Sequence, residues 1–94
     1  MQIKYRKIIM SETFTIIYER KGCIGAGVCA AIADKHWVMN EDGKADLVES
    51  KTNDEGNWVR EITQEEFDVN MQSAEGCPAN VIHIIKKSTG EKLI

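Results

Sequence analysis

Cys23-Ile-Gly-Ala-Gly-Val-Cys29 and, after 47 intervening residues, Cys77-Pro78 decide how this sequence is read. Two thiols with five residues between them in a glycine-rich stretch, and a third thiol far along the chain, can converge only if the fold brings the remote segment back. Gly25 and Gly27 let the backbone wrap closely and present N–H groups to an anion. Pro78 pins the chain after the third thiol and has no N–H of its own. Three cysteines are an odd number, which leaves one unpaired in any internal disulfide scheme and argues for a reducing compartment.

Outward from the loop, Thr13-Phe-Thr-Ile-Ile-Tyr-Glu19 is rich in β-branched and aromatic residues and reads as a strand. Val28-Cys-Ala-Ala-Ile-Ala33 offers a short helix ended by Asp34-Lys35. Trp37–Met39 and Ala45–Val48 flank Asn40-Glu-Asp-Gly43, a hairpin signal. Glu49 to Asn57 is polar and reads as an exposed loop. Thr63-Gln-Glu-Glu66 has capping-box spacing, and Phe67, Met71 and Ala74 then form an apolar stripe on a second helix that Gly76 ends. Val81–Ile85 reads as a strand before the Ser88–Glu91 turn and a short end at Lys92–Ile94.

At 94 residues and 43% hydrophobic content, with one proline, the chain is expected to form a single domain over residues 13–94. Residues 1–12 read as an N-terminal extension, with Met10 a candidate translation start, or as an edge strand over Ile3–Ile9. Neither a signal peptide nor a stretch of the ~20 apolar residues needed for a membrane span is visible, so a cytoplasmic location is expected. The net charge of −3 conceals a segregation: residues 34–68 carry eleven acids against four bases, net −7, and the flanks are positive. That pattern speaks against nucleic-acid binding and for a partner with a basic docking patch.

Cys23-x2-Ala26-x2-Cys29 with the remote Cys77-Pro78 resembles the bacterial-type single-cluster ferredoxins, whose pattern is Cys-x2-Cys-x2-Cys plus a remote Cys-Pro. The likeness spans roughly Thr13 to Ile85. It implies an α+β, ferredoxin-like fold: two β–α–β-like halves, the N-terminal strand antiparallel to Val81–Ile85, two antiparallel strand pairs in all, and two helices on one face. It also implies a one-electron carrier that turns over no substrate, with Cys23, Cys29 and Cys77 holding one iron–sulfur cluster. Ala26 stands where the family has its middle cysteine and has no lone pair to offer. The Cys-Ile-Gly-Ala-Gly wording is similar to the [3Fe-4S] members, which include redox partners of cytochrome P450 enzymes; a [4Fe-4S] cluster with a non-protein fourth ligand is the other form implied. The partner is then a reductase or oxidoreductase.

Rival readings attach to the same residues. Three cysteines with His36 or His83 would make a zinc site, although Cys-x5-Cys is wider than a zinc hairpin. The thiols could be buried small apolar groups, or Cys23 and Cys29 could oxidise to a disulfide in a cluster-free sample. Gly25-Ala-Gly27-Val-Cys-Ala30 matches a dinucleotide fingerprint, but the chain is too short for that fold and Cys77-Pro78 would go unexplained. A zinc-stabilised or metal-free interaction module is therefore the alternative to the electron carrier.

Overall fold

The computed structural model describes residues 12–94, so the extension or edge strand expected within residues 1–11 lies outside the described residues. Strand β1 (Thr13–Tyr18) alternates strictly, with Phe14, Ile16 and Tyr18 buried and Thr13, Thr15 and Ile17 less so. A strand with period-two burial commits one face to the core. It becomes the centre of a five-stranded antiparallel sheet, flanked by β5 (Trp58–Thr63) and β6 (Ile82–Lys86), with β4 (Lys51–Thr52) and β7 (Glu91–Lys92) at the edges. The antiparallel pairing of β1 with the strand near Val81–Ile85 is as expected, with Ile16 opposite Ile84.

Strand β5 is the element the sequence reading left unassigned. Its register places Ile62 opposite Phe14 and Arg60 opposite Ile16. Of its six residues only Ile62 is fully buried, so no hydrophobic alternation announces it. The exposed Glu49–Asn57 loop is largely as read, with the two-residue β4 folded into it as a hairpin partner of β5.

Helix α1 (Val28–Ile32) is one turn and a half, and α2 (Gln64–Gly76) is the long one. The expected capping box forms: the Thr63 N–H donates to Glu66 Oε1 at 2.9 Å. Phe67 stacks on Phe14 at 4.2 Å between ring centroids, and Ala74 is buried, so α2 lies across the core face of the sheet. Each fully buried isoleucine or leucine here contributes roughly 1.5–3 kcal/mol. The two helices touch at Gly76, where a Cβ would come within 2.6 Å of Val28 Cγ1. A second, two-stranded sheet pairs β2 (Trp37–Met39) with β3 (Ala45–Leu47) around the expected turn. Trp37 is buried, edge-on to Tyr18, and its Nε1–H donates to the buried Asn70 Oδ1 of α2 at 2.9 Å. The hairpin is thereby fixed to both sheet and helix. Among the described residues, no helix is long and apolar enough to cross a membrane.

Candidate iron–sulfur site

After β1 the chain makes a 3-10 turn at Arg20–Gly22 and enters the loop that begins at Cys23. Gly25 and Gly27 have φ of +76° and +80°, a conformation that a residue with a Cβ adopts only at a cost. Gly25 has a second reason to be glycine: an added Cβ would lie 2.2 Å from the Gly43 carbonyl oxygen in the β2–β3 turn. Gly27 opens α1, which carries Cys29 on its buried side. Far along the chain α2 delivers Cys77 as its C-cap, and Asn80, at φ +56°, closes the turn by donating its N–H to the Cys77 carbonyl at 3.2 Å.

These segments meet. Cys23, Cys29 and Cys77 line one hollow together with Ile24, Ala26, Gly27, Val28 and Pro78. All three cysteines are free thiols; Cys29 is buried and the other two are half-buried. The hollow thus gathers every cysteine in the chain, and Ala26 stands in the same wall.

The two loop thiols sit in opposite surroundings. Burial disfavours the Cys23 thiolate, but the Tyr18 hydroxyl, the N–H groups of Ala45 and Gly25 and the charge of Lys44 outweigh it, and the thiol ionises more readily than usual. Burial pushes the Cys29 thiol up, against a hydrogen bond from the Ala30 N–H, and the negative charges of Cys23 and Cys77 push it further. The Tyr18 phenol is driven far above its ordinary value, first by burial and then by Cys23. The β2–β3 hairpin braces the loop from outside. Lys44 Nζ donates to the carbonyls of Arg20 and Lys21 at 3.2 and 2.7 Å, and Arg20 reaches Asp42 and Asp46 at 3.0 and 2.9 Å.

The donor set suits an anionic iron–sulfur cluster. Three soft sulfurs line one hollow, backbone N–H groups favour the thiolate form of two of them, and the glycines leave the backbone room to approach. Among the described residues no three His, Cys, Asp or Glu side chains converge closely enough to hold a single metal ion, as a zinc site would need. The histidines proposed as fourth zinc ligands are engaged elsewhere: His36 Nε2 with Glu66 at 2.9 Å, and His83 Nε2 with Glu19. The dinucleotide reading also loses its helix, since α1 has only five residues.

Sequence reasoning singled out the three cysteines and Ala26, which the structure brings to one hollow. It missed Tyr18, Ala45 and Lys44, whose part in the site is a matter of tertiary approach; Tyr18 reads in sequence as one more core residue of a strand. The comparisons with known proteins agree with the geometry. The chain is 29% identical over 66 residues to a ferredoxin of Thermococcus litoralis, in an alignment covering 70% of this chain and 90% of that protein. The family model of the 4Fe-4S single cluster domain matches residues 16–84, from the middle of β1 to the middle of β6, and so takes in every element that builds the hollow. This chain belongs to the 4Fe-4S single cluster domain family.

Proposed function

We propose that the protein is a one-electron carrier in which Cys23, Cys29 and Cys77 hold a single iron–sulfur cluster of the [3Fe-4S] form. The observation that carries this reading is the gathering of all three thiols around one hollow with Ala26, a residue without a donor atom, in its wall. The cluster supplies a one-electron redox couple; the chain supplies thiolates, amide hydrogen bonds and the shape of the site. Cys23 ionises more readily than an ordinary thiol, and the apolar Ile24, Val28 and Pro78 line the wall. The family description names a four-iron cluster, and the departure at Ala26 is the reason to expect three irons here.

The partner is a reductase or oxidoreductase, cytochrome P450 enzymes included, with a basic patch near its own redox centre. Support comes from the acidic middle of the chain. Asp42 and Asp46 are engaged by Arg20, but Asp34, Glu41, Asp54, Glu55, Glu65 and Asp68 form no ion pair among the described residues and remain available for long-range attraction. The second-order transfer rate to such a partner should fall between low and physiological ionic strength, where the screening length shortens to ~8 Å.

The deciding experiment compares wild type with Ala26→Cys by iron and labile-sulfide content and Mössbauer spectra after anaerobic assembly. Wild type should hold about three irons and the variant should move toward four. Four irons in wild type would assign a non-protein fourth ligand. A colourless protein with stoichiometric zinc and no sulfide would overturn the reading in favour of an interaction module.

A further inference from the structure

Among the described residues the large apolar side chains left exposed are Ile24, Ile32, Val38 and Met39. All of them fall on the cysteine loop, on α1 that follows it, or on β2; the five-stranded sheet and α2 carry none. Ile24 is the extreme, at 68% exposed, and it also lines the hollow that gathers the three thiols. A single exposed isoleucine on a protein surface needs no explanation. This one stands at the mouth of the site. Of the residues around the hollow, the exposed ones are Ile24, Ala26 and Pro78, and none of the lining residues carries a charge.

Charge begins just outside this mouth. On one flank the β2–β3 turn lies against the loop, with the Gly43 oxygen 2.2 Å from where a Gly25 Cβ would stand, and the turn carries Glu41. On the other flank α2 ends against α1 at Gly76, preceded by Glu75. Both glutamates are exposed, and neither forms an ion pair among the described residues. The bases of the loop are engaged elsewhere. Arg20 pairs with Asp42 and Asp46, Lys44 donates to two backbone carbonyls, and Lys21 reaches the β4–β5 turn, its Nζ 3.6 Å from where a Gly56 Cβ would stand. An apolar centre between free carboxylates has the anatomy of a protein interface, with a core and a charged rim.

We propose that Ile24 anchors the docking face: a redox protein seats an apolar spot over Ile24, Ala26 and Pro78, and basic side chains on either side of that spot meet Glu41 and Glu75. The two parts of the face do different things. The carboxylates draw the partner in and set the encounter rate, which salt weakens. Burial of Ile24 holds the complex together once formed, and salt at these concentrations leaves that contribution in place. Since Ile24 itself lines the hollow, the anchor fixes the partner at the point on the surface nearest the thiols. The inference rests on the iron–sulfur reading above and names the partner's docking surface.

The test is stopped-flow oxidation of the reduced full chain by two probes, a basic c-type cytochrome and hexaamminecobalt(III), a small complex with no apolar surface to dock. Ile24→Ser should lower the second-order rate constant to the cytochrome about tenfold, at low and at physiological ionic strength alike, and leave the rate to the cobalt complex unchanged. Glu41→Gln with Glu75→Gln should instead make the salt dependence shallower. An unchanged cytochrome rate in Ile24→Ser overturns the anchor, and so does an equal fall with both probes, which would place the effect in the cluster. Should Ile24→Ser not assemble, Ile24→Val, equally apolar and one carbon shorter, decides: a fall of about twofold with the cytochrome alone supports the proposal and no fall overturns it. Iron and sulfide are measured first. A wild type lacking both overturns the function, whereas a loaded protein whose rate ignores Ile24 overturns only the docking face.

Discussion

The loop around Cys23 and the corner around Cys77 hold the same kind of side chain by different means. The loop is braced by polar contacts with the β2–β3 hairpin: Lys44 on two backbone carbonyls, Arg20 between Asp42 and Asp46, and Gly25 against Gly43. The corner is held by packing: α2 capped at one end by Thr63 and Glu66, pressed onto α1 through Gly76, and stacked on the sheet through Phe67 and Ala74. One region is therefore sensitive to charge and to backbone conformation, and the other to side-chain volume. The electrostatic half also carries Cys23, a thiol that ionises more readily than usual.

The largest effect should come from Gly25→Ala. The new Cβ would meet the Gly43 oxygen at 2.2 Å, in a left-handed conformation that itself costs about 1–2 kcal/mol. Neither backbone can yield without undocking the hairpin. Cluster assembly should be lost, and denaturant unfolding of the cluster-free chain should show a loss of about 3 kcal/mol. Normal iron content in this variant would mean that the hairpin does not brace the loop.

Next is Glu66→Ala, in the packed half. It removes the reciprocal cap of α2 and the partner of the buried His36, whose Nδ1 is already without a hydrogen bond. A loss of about 1–2 kcal/mol is expected from unfolding midpoints at constant m-value. The carboxyl of Glu66 is held below its ordinary value of 4.5, first by His36 and then by the Thr63 N–H. A depressed carboxylate contributes stability that is fully present above the unfolded value and is lost as pH falls through the folded one. Wild type should therefore lose stability below about pH 4.5, and Glu66→Gln should flatten that acid limb. Identical acid limbs would remove the pair from the account.

Gly76→Ala sharpens the contrast further. The Cβ would press on Val28 Cγ1 at 2.6 Å, but that is a side chain that can shift. Overpacking of about 1–3 kcal/mol is partly offset by the better helix propensity of alanine, about 0.5–1 kcal/mol. A net loss of about 1 kcal/mol, independent of salt, is the expected result of chemical unfolding. The smallest effect belongs to Asp42→Asn. Asp42 is exposed, its carboxyl held low chiefly by Arg20, and the pair is screened by salt. The difference from wild type should be slight in thermal melts at low ionic strength and vanish at high salt; a difference that persists would show that the brace is not electrostatic.

Much of this was legible in the sequence because the relevant signals are local. The Asp42-Gly43 turn, the Thr63–Glu66 box and the β-branched and aromatic run of β1 each depend on a few neighbouring residues. So does the glycine-framed pair Cys23 and Cys29, and Cys77 stands out as the one remaining thiol, followed by Pro78. What stayed hidden is set by tertiary approach. Strand β5 carries Arg60 and Glu61 in its middle, where Arg60 turns out to donate to the Val48 carbonyl at 2.8 Å and Glu61 to pair with Lys87. Its single buried isoleucine gives no period to read. Tyr18 and Ala45 lie 27 positions apart and meet only because the hairpin folds back toward the sheet.

The central place of β1 has a kinetic consequence. Thr13–Tyr18 precedes both of its partners, and it waits for Trp58–Thr63 on one side and for Ile82–Lys86 on the other. Such separations make the closing of the sheet a non-local event, slow by the standards of helical domains of this size. Cys77 lies just ahead of the last of those strands, so the sulfur that completes the trio is delivered by the same late step that completes the sheet. During synthesis the chain should remain protease-sensitive until Ile82–Lys86 has left the ribosome, and stalled chains ending before Ile82 should be cleaved as readily as denatured protein. Iron and sulfide offered to those shorter chains would meet thiols on an unfinished scaffold, whereas the longer chain presents all three on a closed one, so maturation is timed by the sheet.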